Sequence, residues 1–287
     1  MQYTLQQNLQ QTMLRALLCL VFGSIFLPHL WSKSNDSISY TNRITLGVQQ
    51  IKESQNFGLV FTGMTLGYAP RWQWEGETSV SQLSAEFAAS ALFSKGIMGA
   101  NVHVMPVEWL YLWKVAPSLY IGSVLAADYR YQLYPDLQSG VSYWFSSWSA
   151  GIAAEYRFRA FETDWSVVGS SSLLGFSSRP PVVREPYFFD LGIGEAVRYL
   201  HQNIQFGSVN HFTRTRLEIA WKPNNDAAFR VSYIFEADVY FNTPQWTALS
   251  QGIAIILNKV KNYTFESTET SVRARSPIRR HMPDEPC

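Results

Sequence analysis

Residues 229–241 alternate between apolar and polar side chains for thirteen positions. The apolar positions are Phe229, Val231, Tyr233, Phe235, Ala237, Val239 and Phe241. The opposite positions are Arg230, Ser232, Ile234, Glu236, Asp238 and Tyr240. Successive side chains of a strand point to opposite faces, so this segment predicts a strand with one apolar and one largely polar face. It is longer than the usual strand of about five or six residues, and it is long enough to cross a bilayer when tilted.

The same alternation recurs along the chain. It is clear in residues 119–133, 152–159 and 214–221, and weaker in 43–49 and 81–93. A soluble β-sandwich or lipocalin-like barrel would bury the apolar face and expose the polar one, so alternation alone leaves that alternative open. Strand length, an export segment and aromatic clusters favour a membrane barrel.

The N-terminal region resembles a secretory leader. Residues 1–15 carry the single charge of Arg15, and an apolar run over 16–28 follows and ends at Pro28. This predicts a signal peptide over 1–33, with an uncleaved anchor as the alternative. Downstream there is no run of about 18 apolar residues, the length that a spanning helix needs. An exported chain in a membrane must then satisfy its backbone groups as a closed barrel.

Composition agrees with this interpretation. Charged residues are 16% of the chain, below the quarter or so of ordinary soluble domains. Aromatic residues reach 15%, which suits interfacial girdles. The net charge of +1 gives no indication of nucleic-acid binding. Clusters at the predicted strand ends are therefore expected to form girdles: Tyr68, Trp72, Trp74, Trp109, Tyr111, Trp113, Tyr129, Tyr131, Tyr134, Tyr143, Trp144, Phe145, Trp148, Tyr240, Phe241 and Trp246.

Turn signals divide the chain into ten predicted strands. These are 38–49, 57–73, 78–93, 101–113, 118–133, 142–158, 163–175, 208–221, 227–241 and 248–260. Short turns alternate with longer connections, as in an antiparallel up-and-down barrel with periplasmic turns and external loops. The connection over about 176–207 is long enough to hold another hairpin, which would give twelve strands. The predicted organisation is a barrel domain over 34–263 and a disordered polar tail over 264–287.

If the apolar faces meet lipid, the opposite faces line the interior. They carry a predicted lumen charge network of Arg43, Glu86, Asp128, Arg130, Glu155, Arg157, Arg159, Arg214, Arg216, Glu218, Arg230, Glu236 and Asp238. Buried charges are costly unless they pair, and side chains fill much of a small barrel. We therefore expect ion pairing in a narrow or plugged lumen.

Catalytic motifs are not recognisable. The histidines outside the leader and tail are His103, His201 and His211, and a hydrolase would need one beside a nucleophile. Asn210 and His211 would point to opposite faces if both lay in a strand. The sequence around 35–36 and 40–43 resembles, over fewer than ten residues, the first-strand region of outer-membrane lipid A deacylases. We predict no catalytic residues, no cofactor and no metal site.

At class level, residues 38–262 resemble bacterial outer-membrane β-barrel proteins. The resemblance implies an outer-membrane location, contact with outer-membrane lipid and insertion by the outer-membrane assembly machinery. The expected function is porin-like passage or binding of small solutes, or a structural role beside another envelope protein. A lipid hydrolase barrel and a soluble periplasmic β-protein are the alternatives.

Overall fold

The computed structural model has eleven strands. It describes residues 37–54, 58–137, 141–179, 195, 198, 200–201, 203–223, 229–242 and 245–259. The strands are β1 Ser37–Glu53, β2 Val60–Glu75, β3 Ser79–Ser94, β4 Ile97–Ala116, β5 Leu119–Tyr134, β6 Val141–Ala160, β7 Thr163–Ser178, β8 Gln205–Ser208, β9 Phe212–Lys222, β10 Phe229–Tyr240 and β11 Trp246–Lys259. The predicted signal peptide and tail lie outside the described residues.

Ten of these strands close into an antiparallel barrel. Each pairs with its neighbours in the sequence, β11 pairs with β1, and β7 pairs with both β6 and β9. The remaining strand, β8, has four residues and pairs with β7 above the end of the β7–β9 ladder. Closure leaves the barrel without a free sheet edge, which is the condition for β-structure to cross lipid.

The predicted closed barrel of ten strands is confirmed. The predicted strand ends differ from the observed ones by up to four residues, mostly because hairpins continue their ladders beyond the alternating segment. No twelve-strand barrel forms among the described residues, and the described part of the long connection contributes β8 to the sheet. The outward band is apolar at mid-strand: Leu66 is 60% exposed and Ile253 is 62% exposed.

Among the described residues, no helix has the length and hydropathy of a membrane span.

We call the two ends of the barrel the turn end and the loop end. The turn end carries the short connections over 76–78, 117–118, 161–162 and 223–228, together with the start of β1 and the end of β11. The loop end carries the connections over 54–59, 135–140 and 241–245, the long connection over 179–211 that includes β8, and one tight turn at Lys95 and Gly96. Both residues of that turn have positive φ, 47° and 84°, which is the geometry of a two-residue hairpin turn.

Inward side chains at the loop end form a compact apolar cluster, which we call the aromatic plug. It consists of Ile51, Phe61, Leu92, Tyr134, Tyr143, Phe145, Phe212, Tyr240, Trp246 and Ala248. Phe145 stacks on Trp246 with ring centroids 4.8 Å apart. The prediction that Tyr134, Tyr143, Phe145, Tyr240 and Trp246 belong to a girdle was wrong, because they occupy the inward positions of their strands.

A second apolar cluster closes the interior toward the turn end. It contains Val80, Leu110, Leu112, Tyr120, Val124 and Ala153. Outside the barrel at this end, aromatic side chains do form a girdle. Trp165 lies 6.3 Å from Phe158 and 6.2 Å from Trp221, measured between ring centroids. The interior thus has an apolar layer near each end.

Candidate functional site: a charge layer inside the barrel

Between the two apolar clusters, inward side chains of seven strands form a buried layer of charge. We call it the charge layer; it comprises Arg43, Arg71, Glu86, His103, Glu108, Asp128, Arg130, Arg214, Arg216, Glu218, Glu236 and Asp238. Alternation explains its density. Arg214, Arg216 and Glu218 are two residues apart on β9, so all three point into the lumen.

Arg216 lies at the centre of one group of ion pairs. Its Nη1 is 3.2 Å from Glu236 Oε1, 3.4 Å from Glu108 Oε2 and 3.5 Å from Glu86 Oε2. Its Nη2 is 3.5 Å from Glu218 Oε2. The Arg216 residue is 6% exposed. One guanidinium is therefore shared by four carboxylates that come from four different strands.

Arg43 and Arg71 extend this group toward the turn end. Arg43 pairs with Glu86, and its Nη1 is 3.0 Å from Glu218 Oε2. Arg71 Nη2 is also 3.0 Å from Glu218 Oε2. Glu218 thus receives three guanidiniums, including that of Arg216, which balances its charge in a space where a lone carboxylate would be costly.

A second group lies closer to the aromatic plug. Arg130 pairs with Asp238, and Arg214 pairs with Asp128. Asp128 Oδ1 is also 3.5 Å from Arg130 Nε and 3.2 Å from His103 Nε2. The two groups join where Arg214 Nη2 comes within 3.9 Å of Glu236 Oε1. Carboxylates and guanidiniums therefore connect across the whole section of the barrel.

The remaining predicted network residues lie apart, at the turn-end mouth. Arg157 pairs with Glu75 and with Glu155, and its guanidinium carbon is 4.6 Å from the ring centroid of Tyr120. Arg159 and Arg230 are exposed there, and neither belongs to the charge layer. Arg230 lines the cavity near the turn end together with Glu155, and the lumen position of Arg159 stays a prediction.

Sequence reasoning missed several charged residues. Glu108 lies beyond a bulge in β4, where the ladder to β5 jumps from Val104 to Val107. The extra residue shifts the alternation, so His103 and Glu108 both point inward although one number is odd and the other even. Pro106 lies in this bulge and is the signal that could have located it, since proline within a strand favours a bulge.

The loop end holds a further buried ion pair that was not predicted. Arg179, directly after β7, pairs with Glu53 at the end of β1, and their side chains are 4% and 0% exposed. The guanidinium of Arg179 also lies over the ring of Tyr240, 5.3 Å from its centroid. This pair fixes the first residue of the long connection against the aromatic plug.

Two small cavities lie among the described residues of the interior. One cavity lies beside the charge layer and another near the turn end, and each holds about 30 Å³ of water-sized space. A water molecule needs roughly 10–15 Å³ on this measure. Each cavity therefore has room for about two or three waters, and neither could contain a sugar or an amino acid.

The residues considered for catalysis lie in other settings. His211 and Asn210 lie in the turn between β8 and β9, and Asn242 Nδ2 is 3.1 Å from His211 Nε2. Asn42 faces outward and accepts hydrogen bonds from Tyr40 and Tyr68, at 2.7 and 2.6 Å. The segment that resembles lipid A deacylases thus contributes to the girdle and, through Arg43, to the charge layer.

No protein-family profile matches the chain. No curated protein matches it by sequence.

Several solved barrels are similar in shape. The outer membrane protease OmpT from Escherichia coli has a TM-score of 0.42 at 7% identity, covering 79% of this chain and 98% of that one. The β domain of the Bordetella autotransporter BrkA has a TM-score of 0.43 at 10% identity, covering 78% and 100%. The translocator domain of the autotransporter NalP from Neisseria meningitidis has 0.38 at 7%, covering 86% and 97%. At these values the likeness concerns the barrel shape and says nothing of activity.

Proposed function

We propose that the protein is a closed, non-conducting barrel of the bacterial outer membrane, which anchors an envelope partner. Of the two functions expected from the sequence, this proposal keeps the structural role beside an envelope protein and sets aside porin-like passage of small solutes. The observation that carries this proposal is the presence of three inward layers in the lumen. The aromatic plug, the charge layer and the turn-end cluster follow one another along the barrel axis, with cavities of about 30 Å³ between them.

Opening such a lumen would be expensive. The carboxylates and guanidiniums of the charge layer come from strands that are far apart around the barrel, as in the pairs Arg216–Glu86 and Arg130–Asp238. Breaking a buried pair by removing one partner costs about 3–5 kcal/mol, and a solute path would have to separate several of them. Ion pairs that span the interior therefore favour a structural barrel.

The proposal places the partner at the loop end, where the long connection packs on the outer wall. Ser146 Oγ donates a hydrogen bond of 2.6 Å to the Leu200 carbonyl, and His201 Nε2 is 3.2 Å from the Tyr129 hydroxyl. Tyr129 and Ser146 are paired positions on the outward side of β5 and β6, so this part of the long connection packs on the outer wall. Trp144 also points outward, yet it is only 1% exposed.

A lipid hydrolase is less well supported. His103 is 3% exposed and contacts Asp128 inside the charge layer, where a lipid chain would find no room. His211 is accessible, but its described hydrogen-bond partner is Asn242, which is neither a nucleophile nor a base.

Insertion by the outer-membrane assembly machinery is part of the proposal, because a closed barrel needs every strand paired before it can sit in lipid.

Swelling of proteoliposomes tests the closed state. The refolded chain is reconstituted into vesicles, and swelling in an isosmotic solution of a small sugar is compared with that of empty vesicles and of vesicles that contain a general porin. We expect the rate of the empty vesicles. Swelling at a rate similar to that of the porin vesicles would refute the proposal.

Photo-crosslinking in cells tests the partner. A photoreactive residue replaces exposed Arg198 on the long connection and, in a control chain, lipid-facing Leu66. We expect one protein adduct from position 198 and none from position 66. If neither position gives an adduct, the anchoring role is wrong even when the barrel is closed.

A further inference from the structure

Three side chains with metal-binding groups converge beside the interior cavity. One ligand atom each from Glu86, His103 and Glu236 lies within 4.8 Å of the other two. They come from β3, β4 and β10, so the barrel fold brings them together from distant parts of the sequence. Two carboxylates and an imidazole are a ligand set that suits zinc and related divalent ions.

The cavity beside the charge layer is lined by these same three residues. The rest of its lining includes small residues, among them Thr45, Gly67 and Gly252. An ion bonded at about 2.1 Å to each ligand keeps the ligand atoms within roughly 4 Å of one another. Closing the cluster from at most 4.8 Å therefore requires shifts of about 1 Å or less, and the cavity leaves room for a water ligand.

Two buried atoms of the cluster make no hydrogen bond within the described residues. They are Glu236 Oε1 and His103 Nε2. Each has an ion-pair contact instead: Glu236 Oε1 with Arg216 at 3.2 Å, and His103 Nε2 with Asp128 at 3.2 Å. A carboxylate on one ring nitrogen is the usual orienting contact of a metal-binding histidine. With Asp128 on Nε2, the proposed ion would bind His103 Nδ1.

A divalent ion would change the net charge of the layer from one negative to one positive, counting its guanidiniums and carboxylates. The described layer holds five guanidiniums, from Arg43, Arg71, Arg130, Arg214 and Arg216, and six carboxylates, from Glu86, Glu108, Asp128, Glu218, Glu236 and Asp238. The carboxylates are therefore in excess by one. Arg216 would lose Glu86 and Glu236 to an ion, but it keeps Glu108 and Glu218.

We infer that Glu86, His103 and Glu236 form a binding site for a divalent transition-metal ion of the zinc type, inside the barrel and beside the charge layer. The ion crosslinks β3, β4 and β10 from within. Since the aromatic plug and the turn-end cluster close both routes to the cavity, the ion enters while the barrel folds and leaves slowly afterwards.

Metal retention after refolding tests this inference. The full-length chain is refolded into detergent with zinc at a small molar excess, passed through a chelating column, and analysed for zinc by elemental mass spectrometry. Three variants are treated alike: His103→Ala, the isosteric Glu236→Gln, and His211→Ala as a control histidine outside the lumen. Heat-modifiable gel mobility verifies that each sample is folded.

We expect about one zinc ion per folded chain in the wild type and in His211→Ala. Retention should fall by about 10-fold or more in His103→Ala and in Glu236→Gln. Binding to other histidines and to the cysteines persists in the His103→Ala and Glu236→Gln chains, so those residues cannot mimic this result. Absence of zinc from the folded wild type, or equal retention in a folded His103→Ala or Glu236→Gln chain, would overturn the inference.

Discussion

Arg43 on β1 and Glu218 on β9 meet inside the barrel, with Nη1 3.0 Å from Oε2. Two strands, β11 and β10, separate them in the sheet, so the pair crosses the lumen and does not follow the wall. A wide pore would hold these side chains apart. Their contact connects the alternation in the sequence with the closed interior.

Removing the shared guanidinium of the charge layer should destabilise the barrel strongly. Arg216→Ala leaves four carboxylates with fewer partners, and we expect the free energy of unfolding to fall by about 3–5 kcal/mol. Arg159→Ala removes an exposed arginine at the turn-end mouth and should change it by less than about 1 kcal/mol. Urea unfolding in lipid vesicles measures both. If Arg216→Ala also changed the free energy of unfolding by less than about 1 kcal/mol, the charge layer would not stabilise the barrel.

The aromatic plug should matter more than a single girdle residue. Trp246 is 1% exposed and stacks on Phe145, so Trp246→Ala should cost about 3–5 kcal/mol. Trp113 is 52% exposed and has an edge contact with Tyr111 at 4.8 Å. Trp113→Ala should cost about 0.5–1.5 kcal/mol through loss of that aromatic pair. A reversed order in equilibrium unfolding would mean that the plug is loosely packed.

The lipid-facing band predicts a depth dependence for added charge. Leu66→Arg places a charge at mid-strand and should cost about 2–4 kcal/mol, whereas Val115→Arg near the turn end should cost about 0–1 kcal/mol. Both original side chains are exposed, at 60% and 57%, so neither change disturbs the interior. Unfolding in vesicles compares them. Similar small costs would indicate that the band does not lie in acyl chains.

Ion pairs in the second group of the charge layer should be energetically coupled. Arg130→Met and Asp238→Leu each break the Arg130–Asp238 pair, and together they remove both of its charges. Each single change also removes a weaker contact, with Asp128 or with Arg214. The double variant should therefore be about 0.5–3 kcal/mol more stable than the sum of the single effects predicts. A control cycle of Arg130→Met with Glu155→Gln, from the separate mouth cluster, should be additive within about 0.5 kcal/mol. Additivity in both cycles would contradict coupling.

The sequence predicts the barrel well because alternation is local. Arg214, Arg216 and Glu218 are assigned to one face by spacing alone, and the inward position of each follows once the neighbouring residues meet lipid. The partners of these side chains cannot be predicted from spacing. Arg43 and Glu218 are 175 positions apart, and their contact depends on closure and register, which no local pattern contains.

Two kinds of error have identifiable physical causes. Glu108 was missed because the bulge at 105–107 reverses the parity of β4. Phe145 and Trp246 were assigned to a girdle because aromatic residues near a strand end occur on both faces. A cluster of aromatic residues in the sequence does not show whether a side chain lies at the membrane interface or fills the lumen. That depends on whether the residue faces outward or inward on its strand.

Ion conductance in a planar bilayer tests the closed lumen most directly, since ions are the smallest solutes that could pass. We expect that the folded chain, verified by heat-modifiable gel mobility, inserts without producing current steps above the baseline. A steady, reproducible open channel would contradict it, because current cannot flow through a lumen closed by the aromatic plug and the charge layer.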